Sequence, residues 1–332
     1  MMKHDRTDEM MPRHLIKTNK KTTKAEDKAI ELFRAENSKE GIRVFVAGGS
    51  RSGNDEQYIA EAYRLGQKIV KMDFRLDFGL SNSGIMGAVA RGVLDSWNAK
   101  ENKNNAPIQG ITTKEYFKLY PSDDTLIAKM EVVVARTLEE RKQKLLNADY
   151  VVFAPGGVGT LDELAYDCVA MQDGLLPMKP FIIFNINGYF YHLLEFLKIM
   201  THEGFADPIP FIVVDNAEEL EIAFRLLKKT CHKCSNGKEN FANARLLIYK
   251  LPYYIKQKNN YGKDVEECME NVQYIEKNGT KEEKQSLVAE IETAYLEREI
   301  EKMYGRLVVA GKDAGIVSDK LTKLKKRHRE IL

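Results

Sequence analysis

The sequence predicts an α/β protein: a doubly wound, mainly parallel sheet with helices on both faces, plus a mainly helical C-terminal extension. Three observations predict it. Short apolar runs rich in β-branched residues recur through the first two thirds of the chain, as strands buried on both faces of a parallel sheet do. Helical patterns stand between them, the alternation expected of parallel crossover units. One run, Tyr150-Val151-Val152-Phe153-Ala154, passes directly into Pro155-Gly156-Gly157-Val158-Gly159-Thr160, a glycine turn that opens a helix.

Taken in order, residues 1–26 are charged and aperiodic and read as a flexible polar arm. A short helix is expected around Ala25–Glu36, then a strand at Ile42–Ala47, a helix near Asp55–Lys71, a strand near Arg75–Phe78 and a helix from Gly84. Ile108–Thr112 predicts the third strand and Val132–Val134 the fourth. Between them, Lys114–Lys129 reads as a long loop whose aromatic residues border a pocket. Ala135–Leu146 has an amphipathic helical pattern, and Asp149 opens the fifth strand. Pro180–Asn185 and Phe211–Val214 are the last strands, with helical patterns from Tyr189 and Ala217. Asn187–His192 is aromatic-rich and reads either as core and subunit-interface packing, the favoured reading, or as a base-stacking platform; His192 is structural. Beyond Lys229 the composition shifts to Lys, Glu, Asn and Tyr. There Thr280-x-x-Glu283 starts a helix whose apolar residues Leu287, Ile291, Ala294 and Tyr295 recur at helical spacing. The chain thus divides into an arm (1–26), a sheet domain (27–229) and a helical extension (230–332) that packs on the core or on a partner subunit.

The glycine turn carries the chemistry. Pro155 removes a backbone donor and Gly156, Gly157 and Gly159 remove side chains, so the chain can turn sharply and bring its amides close to a ligand. Thr160 is a good N-cap for a helix over Leu161–Gln172, whose positive end favours a bound phosphate. Glu163 has two compatible readings. It stands three residues after Thr160, the spacing of a reciprocal capping box; it is also a carboxylate one turn into a helix beside a phosphate-sized turn, placed to act on a ligand. Upstream, Arg141-Lys142 reads either as a solvated helix face or as part of the site. The helix ahead of a parallel strand begins at the carboxyl edge of the sheet, where ligands bind. Arg136 lies at that start, whereas Arg141 must reach back.

The order Glu140-Arg141-Lys142, Asp149, then Pro155-Gly156-Gly157-Val158-Gly159-Thr160-Leu161-Asp162-Glu163 resembles the signature of the LONELY GUY (LOG) proteins. Those were once labelled lysine decarboxylases and act as nucleoside 5′-monophosphate phosphoribohydrolases that release free cytokinin bases. Val44–Asn54 resembles the family's first strand and Gly/Ser loop, and Gly79–Gly87 its second glycine loop. Over residues 41–228 the resemblance implies a Rossmann-like domain acting as a homodimer or larger homo-oligomer. It implies that Arg141 and Glu163 are the catalytic pair and that Gly156, Gly157, Gly159 and Thr160 form the phosphate turn. Ser50, Gly84, Met86 and Lys142 are further nucleotide contacts on the same grounds. Two departures stand out. Gly79-Leu80-Ser81 replaces the usual three glycines, setting two side chains where backbone would approach the ribose phosphate, and Leu138-Glu139 replaces the usual Met-His.

Composition narrows the classes. The chain has 332 residues, 43% of them hydrophobic, enough for a sizeable core, and its net charge of +2 predicts no strongly charged partner. No apolar run approaches the roughly 20 residues that span a bilayer. No signal-peptide core is present at the polar N-terminus, so the expectation is a cytoplasmic protein without a membrane partner. The basic stretch Lys320–Arg329 matches no nucleic-acid motif and reads as a solvated helix end. Cys231-His232-Lys233-Cys234 has half of a zinc spacing and Cys268 would be a third ligand, but the second pair is missing, so the thiols are expected reduced and metal-free. Cys168 reads as core packing. Amino-acid decarboxylation needs a cofactor such as pyridoxal phosphate, for which no Schiff-base lysine stands out. The leading expectation is a cofactor-free hydrolase of a purine nucleoside 5′-monophosphate, of the AMP or cytokinin riboside type. A non-catalytic nucleotide sensor and a carrier of a phosphate-bearing cofactor are the alternatives.

Overall fold

Alternate residues of each central strand belong to different apolar cores. The computed structural model describes residues 41–99, 106–119, 127–176, 179–207, 209, 211–230, 250–309 and 314–331. Val44 and Val46 of β1 (Ile42–Ala47) join one buried cluster, whereas Phe45 and Ala47 join a second. In β5 (Tyr150–Phe153), Tyr150 and Val152 face the first cluster and Val151 and Phe153 the second; β6 (Phe181–Phe184) divides in the same way. Because successive side chains point to opposite faces and both faces are covered, these strands read as continuous apolar runs.

Among the described residues, seven parallel strands form one sheet in the order β4-β3-β2-β1-β5-β6-β7. The others are β2 (Phe74–Phe78), β3 (Ile108–Thr113), β4 (Glu131–Ala135) and β7 (Phe211–Val214). The chain winds outward from β1 to β4, then returns to place β5 on the free side of β1, pairing Val44 with Tyr150 and Ala47 with Phe153. That reversal opens a crevice beyond the carboxyl ends of β1 and β5, where doubly wound sheets take their ligands.

Helices α1 (Glu56–Lys71) and α2 (Gly84–Asn98) cover the first cluster. The opposite face is covered by α4 (Leu138–Leu146), α5 (Val158–Gln172) and α6 (Tyr191–His202), and α7 (Ala217–Thr230) returns to the first. Several boundaries differ from expectation. Lys114–Leu119, read as loop, forms the short helix α3, started by the Thr113 hydroxyl accepting from the Tyr116 amide at 3.2 Å. The helix predicted from Tyr189 begins at Tyr191, after a 3-10 turn over Ile186–Gly188. Cys168 packs half-buried against the second cluster, and burial pushes its thiol up to about 12.

The extension packs on the core. Leu251, Tyr254 and Ile255 of the helical residues 250–261, with Cys268, Met269 and Val272 of α8 (Val265–Asn278), are buried in the first cluster. From α9 (Lys281–Val309), Arg298 donates to Glu219 and, at 3.1 Å, to Asp215. Thr280 and Glu283 start α9 as the spacing predicts, the Thr280 amide donating to Glu283 Oε2 at 2.7 Å and the Glu283 amide to Thr280 Oγ1 at 3.2 Å. Helix α10 (Ala314–Ile331) closes the chain. The arm, the helix expected at Ala25–Glu36, and Cys231 and Cys234 lie outside the described residues. Among the described residues, no helix is long and apolar enough to cross a membrane.

Candidate functional site

Two turns meet at the crevice and are tied together at their base. Ala154 N donates to Ala47 O at 2.8 Å, and Gly49 N to Pro155 O at 3.0 Å. Helix α5 starts at Val158, with Gly157 as its extended cap residue, three residues earlier than a Thr160 cap would allow. Thr160 is therefore not the N-cap, and the capping box with Glu163 does not form. Thr160 instead sits buried in the first turn with its Oγ1 folded over Gly156, where an added Cβ would lie 2.1 Å from that oxygen and 2.9 Å from Gly49 N. The first intrahelical bond runs from Leu161 N to Gly157 O at 3.1 Å. The amides ahead of it have no partner within the helix, and the helix dipole adds its positive end there. A Cβ built on Gly157 or on Gly159 meets nothing within 4 Å, so the space before the turn is open.

Released from capping, Glu163 faces Arg141. The side-chain cap at this edge belongs to α4: the Thr137 hydroxyl accepts from the Glu140 amide at 3.1 Å, and Glu140 Oε2 accepts from the amide of Arg136, one residue ahead of the cap, at 2.9 Å. One residue on, Arg141 is buried and reaches back to the sheet edge. Its Nε donates to Ile111 O at 2.9 Å and its Nη2 to Gly79 O at 3.4 Å. Nη1 stands 3.7 Å from Glu163 Oε1, and the guanidinium lies 5.3 Å over the ring of Tyr116. Gly79 makes room for this: a Cβ there would lie 2.5 Å from Arg141 Nη2 and 3.1 Å from Met86 Sδ. With two backbone carbonyls fixing the guanidinium, its remaining donors face the carboxylate.

Burial pushes the Glu163 carboxyl from 4.5 up to about 7; Arg141 and Lys142 pull it down and Asp162 pushes it up. Burial also lowers the Arg141 pKa, against the opposing pull of Glu163 and Tyr116. The result is a carboxyl group poised near neutral pH beside a fixed cation.

The other expected residues fall into distinct places. Lys142 stands on the flank of the pair, its Nζ donating to both Asp162 oxygens at 3.2 and 3.1 Å while lying 5.0 Å over the Tyr166 ring. Ser50 is exposed on the β1–α1 loop and its carbonyl accepts from Ser83 Oγ at 2.9 Å. Gly84, at φ +60°, is enclosed by the backbone of Ser50 and Arg51. The Ile85 and Met86 amides both donate to Gly49 O, at 2.9 and 3.3 Å, so the Met86 amide is spent on the loop and its thioether lies beside Gly79. Leu80 overturns an expectation. At φ 60° its side chain turns away from the loop and is buried in the first cluster over Gly110, whereas Ser81 stays in the loop, its Oγ accepting from the Ser83 amide at 3.4 Å.

Two residues of the site were not singled out by sequence: Tyr116 and Tyr189. Tyr116 lies in the segment whose aromatic residues were expected to border a pocket. Tyr189 lies in the aromatic piece read as packing or stacking, yet its hydroxyl donates to the Gly156 carbonyl. A hydrogen bond between segments 33 residues apart leaves no mark in local periodicity.

The fold and the site define a doubly wound parallel-sheet protein with an open glycine turn and a buried arginine paired with a half-buried glutamate at its switch point. A family described as "Possible lysine decarboxylase" matches residues 86–224. The chain is 31% identical over 181 residues to the probable cytokinin riboside 5′-monophosphate phosphoribohydrolase LOG4 of Oryza sativa subsp. japonica, covering 53% of this chain and 74% of that protein. It is 30% identical over 182 residues to the corresponding LOG7 protein of Arabidopsis thaliana, covering 54% and 78%. The chain belongs to the LOG family. Among solved structures it is similar to the molybdenum cofactor carrier protein of Chlamydomonas reinhardtii, at 18% identity and a TM-score of 0.39 over 57% of this chain and 99% of that one.

Proposed function

We propose that the protein hydrolyses the N-glycosidic bond of a purine nucleoside 5′-monophosphate, of the AMP or cytokinin riboside type, to the free base and ribose 5-phosphate. The observation that carries this is the Arg141–Glu163 pair, 3.7 Å apart and set beside the open end of α5. The names of the relatives support the same reaction class.

The turn amides and the helix dipole hold the 5′-phosphate. As the bond from C1′ to the base nitrogen breaks, its electron pair leaves with the base, which takes up a proton, and positive charge develops on the ribosyl ring. Ionised Glu163 stabilises that oxocarbenium-like centre and accepts a proton from the water that attacks C1′. Arg141 orients the carboxylate and keeps its ionised form accessible near neutral pH despite burial. No step calls on a metal or redox cofactor. Val158, Leu161 and Val169 of α5 are exposed apolar side chains, which supports association with a second copy of the chain.

The test is base release from a panel of nucleoside 5′-monophosphates, including AMP and isopentenyladenosine monophosphate, by the wild-type chain and by Glu163→Gln. Glu163→Gln is expected to lose at least about 100-fold in kcat, the usual contribution of a positioned acid–base group. Release at the wild-type rate would remove Glu163 from the mechanism, and nucleotide binding without any release would leave a binding protein.

A further inference from the structure

The segment between β6 and α6 touches both turns that flank the crevice. Its 3-10 turn holds Asn187 at φ 51°, followed by Gly188 at +73°. From that position Asn187 Nδ2 donates to Asp55 Oδ2 at 2.7 Å and to Gln57 Oε1 at 2.6 Å. Asp55 is itself the N-cap of α1, accepting from Gln57 N at 2.9 Å. Two residues on, the Tyr189 hydroxyl donates to the Gly156 carbonyl. The Tyr189 ring packs edge-on against Tyr58 at 5.8 Å and against Phe190 at 4.9 Å. The segment is thus anchored to the β1–α1 loop at one end and to the glycine turn at the other.

The bond it makes there falls on the peptide between Gly156 and Gly157. Gly156 and Gly157 carry no side chains, so no Cβ restrains the orientation of the unit between them. A planar trans peptide points its carbonyl and its N–H in opposite directions. An acceptor bond that fixes the Gly156 oxygen therefore also fixes the direction of the Gly157 amide. In the flipped arrangement a carbonyl oxygen would replace that amide and repel an anion.

We propose that Tyr189 is a positioning residue: by holding the Gly156 carbonyl it keeps the Gly157 amide aimed into the open space before α5, where the phosphate of the substrate binds. This rests on the reading of the turn as the phosphate site. Tyr189 touches no reacting atom in this account. It raises affinity for the phosphate group and leaves the chemistry at C1′ unchanged.

Calorimetric titration of the full chain with ribose 5-phosphate, alongside hydrolysis kinetics, tests this. Removing one orienting hydrogen bond in Tyr189→Phe is expected to weaken ribose 5-phosphate binding and raise KM about three- to tenfold. Its kcat, its pH profile and its denaturation midpoint should stay at wild-type values, which a merely structural role for the hydroxyl would not predict. Asn187→Gly tolerates the left-handed backbone but releases the anchor to Asp55 and Gln57, and should move KM in the same direction by less. Equal binding by wild type and Tyr189→Phe overturns the proposal while leaving the phosphate site standing. A fall in kcat at unchanged KM overturns it too. Failure of the wild-type chain to bind ribose 5-phosphate overturns the reading of the site and this proposal with it.

Discussion

Substituting Leu80 by alanine and by glycine should reverse the usual order of the two residues. Leu80 is 4% exposed, sits at φ 60°, and packs so closely on β3 that a Cβ on Gly110 would lie 2.3 Å from Leu80 Cδ1. Truncating a buried leucine to alanine costs about 2–5 kcal/mol. Alanine keeps the left-handed backbone and its penalty of about 1–2 kcal/mol. Glycine escapes that penalty but loses about 0.5–1 kcal/mol to chain entropy. Leu80→Gly should therefore be destabilised, yet by roughly 1 kcal/mol less than Leu80→Ala. Urea denaturation of the three proteins measures this directly. Because the side chain points into the core, KM and kcat on a nucleoside monophosphate should not change in either variant. Gly110→Ala should cost about 1–3 kcal/mol by overpacking. Most of that cost should vanish when Gly110→Ala is combined with Leu80→Ala, since the two positions share one contact. Leu80→Gly proving less stable than Leu80→Ala, or altering KM, would refute the placement of Leu80 in the core.

Two further expectations address the turn and the carboxylate. Gly159→Ala adds a Cβ in open space and improves helix propensity, so its stability should match or exceed wild type while its affinity for ribose 5-phosphate falls. Gly156→Ala, whose Cβ would meet Thr160 Oγ1 and Gly49 N, should lose both; loss of fold in Gly159→Ala would contradict the open space before α5. With ionised Glu163 as the working form, kcat/KM should rise with pH through about 7, and Asp162→Asn, which removes a charge that holds the pKa up, should shift that limb to lower pH. The same group sets a stability signature. Its folded pKa lies above its unfolded value, so its stabilising contribution is complete below about 4.5 and is lost as pH rises through about 7. Glu163→Gln should thus match wild type near pH 4.5 and exceed it at pH 8.5, by up to about 3 kcal/mol, in denaturation midpoints compared across pH. A gap that does not grow with pH would argue against a buried, upshifted carboxyl.

Three of the five Thr-x-x-Glu spacings in this chain show where local reading ends. At Thr280–Glu283 it forms the reciprocal cap that the spacing implies, and at Thr137–Glu140 the hydroxyl caps the Glu140 amide while the carboxylate takes the Arg136 amide one residue earlier. At Thr160–Glu163 it does not, because Gly157 has already capped α5 and Thr160 is drawn into the packing of Gly156 against Gly49. Glu163 is left to a partner 22 residues earlier in the chain. The strands, the alternation with helices, the glycine turn and the order of its motifs were all legible in sequence, because pleat period, helix period and turn chemistry are local properties. They sufficed for the fold class and for the list of residues around the crevice.

What local pattern could not carry was direction. Whether Leu80 entered the site or the core depended on a left-handed backbone and on the space that Gly110 leaves in a neighbouring strand. Arg141 could have been a solvated helix residue; the carbonyls of Gly79, just beyond β2, and of Ile111, within β3, draw it to the sheet edge and toward Glu163. Tyr189 reached Gly156 only because β6 lies beside β5. In each case the deciding neighbour comes from another strand or loop, so the sequence by itself determined which residues gather at the switch point, and the tertiary structure decided which way each of them faces.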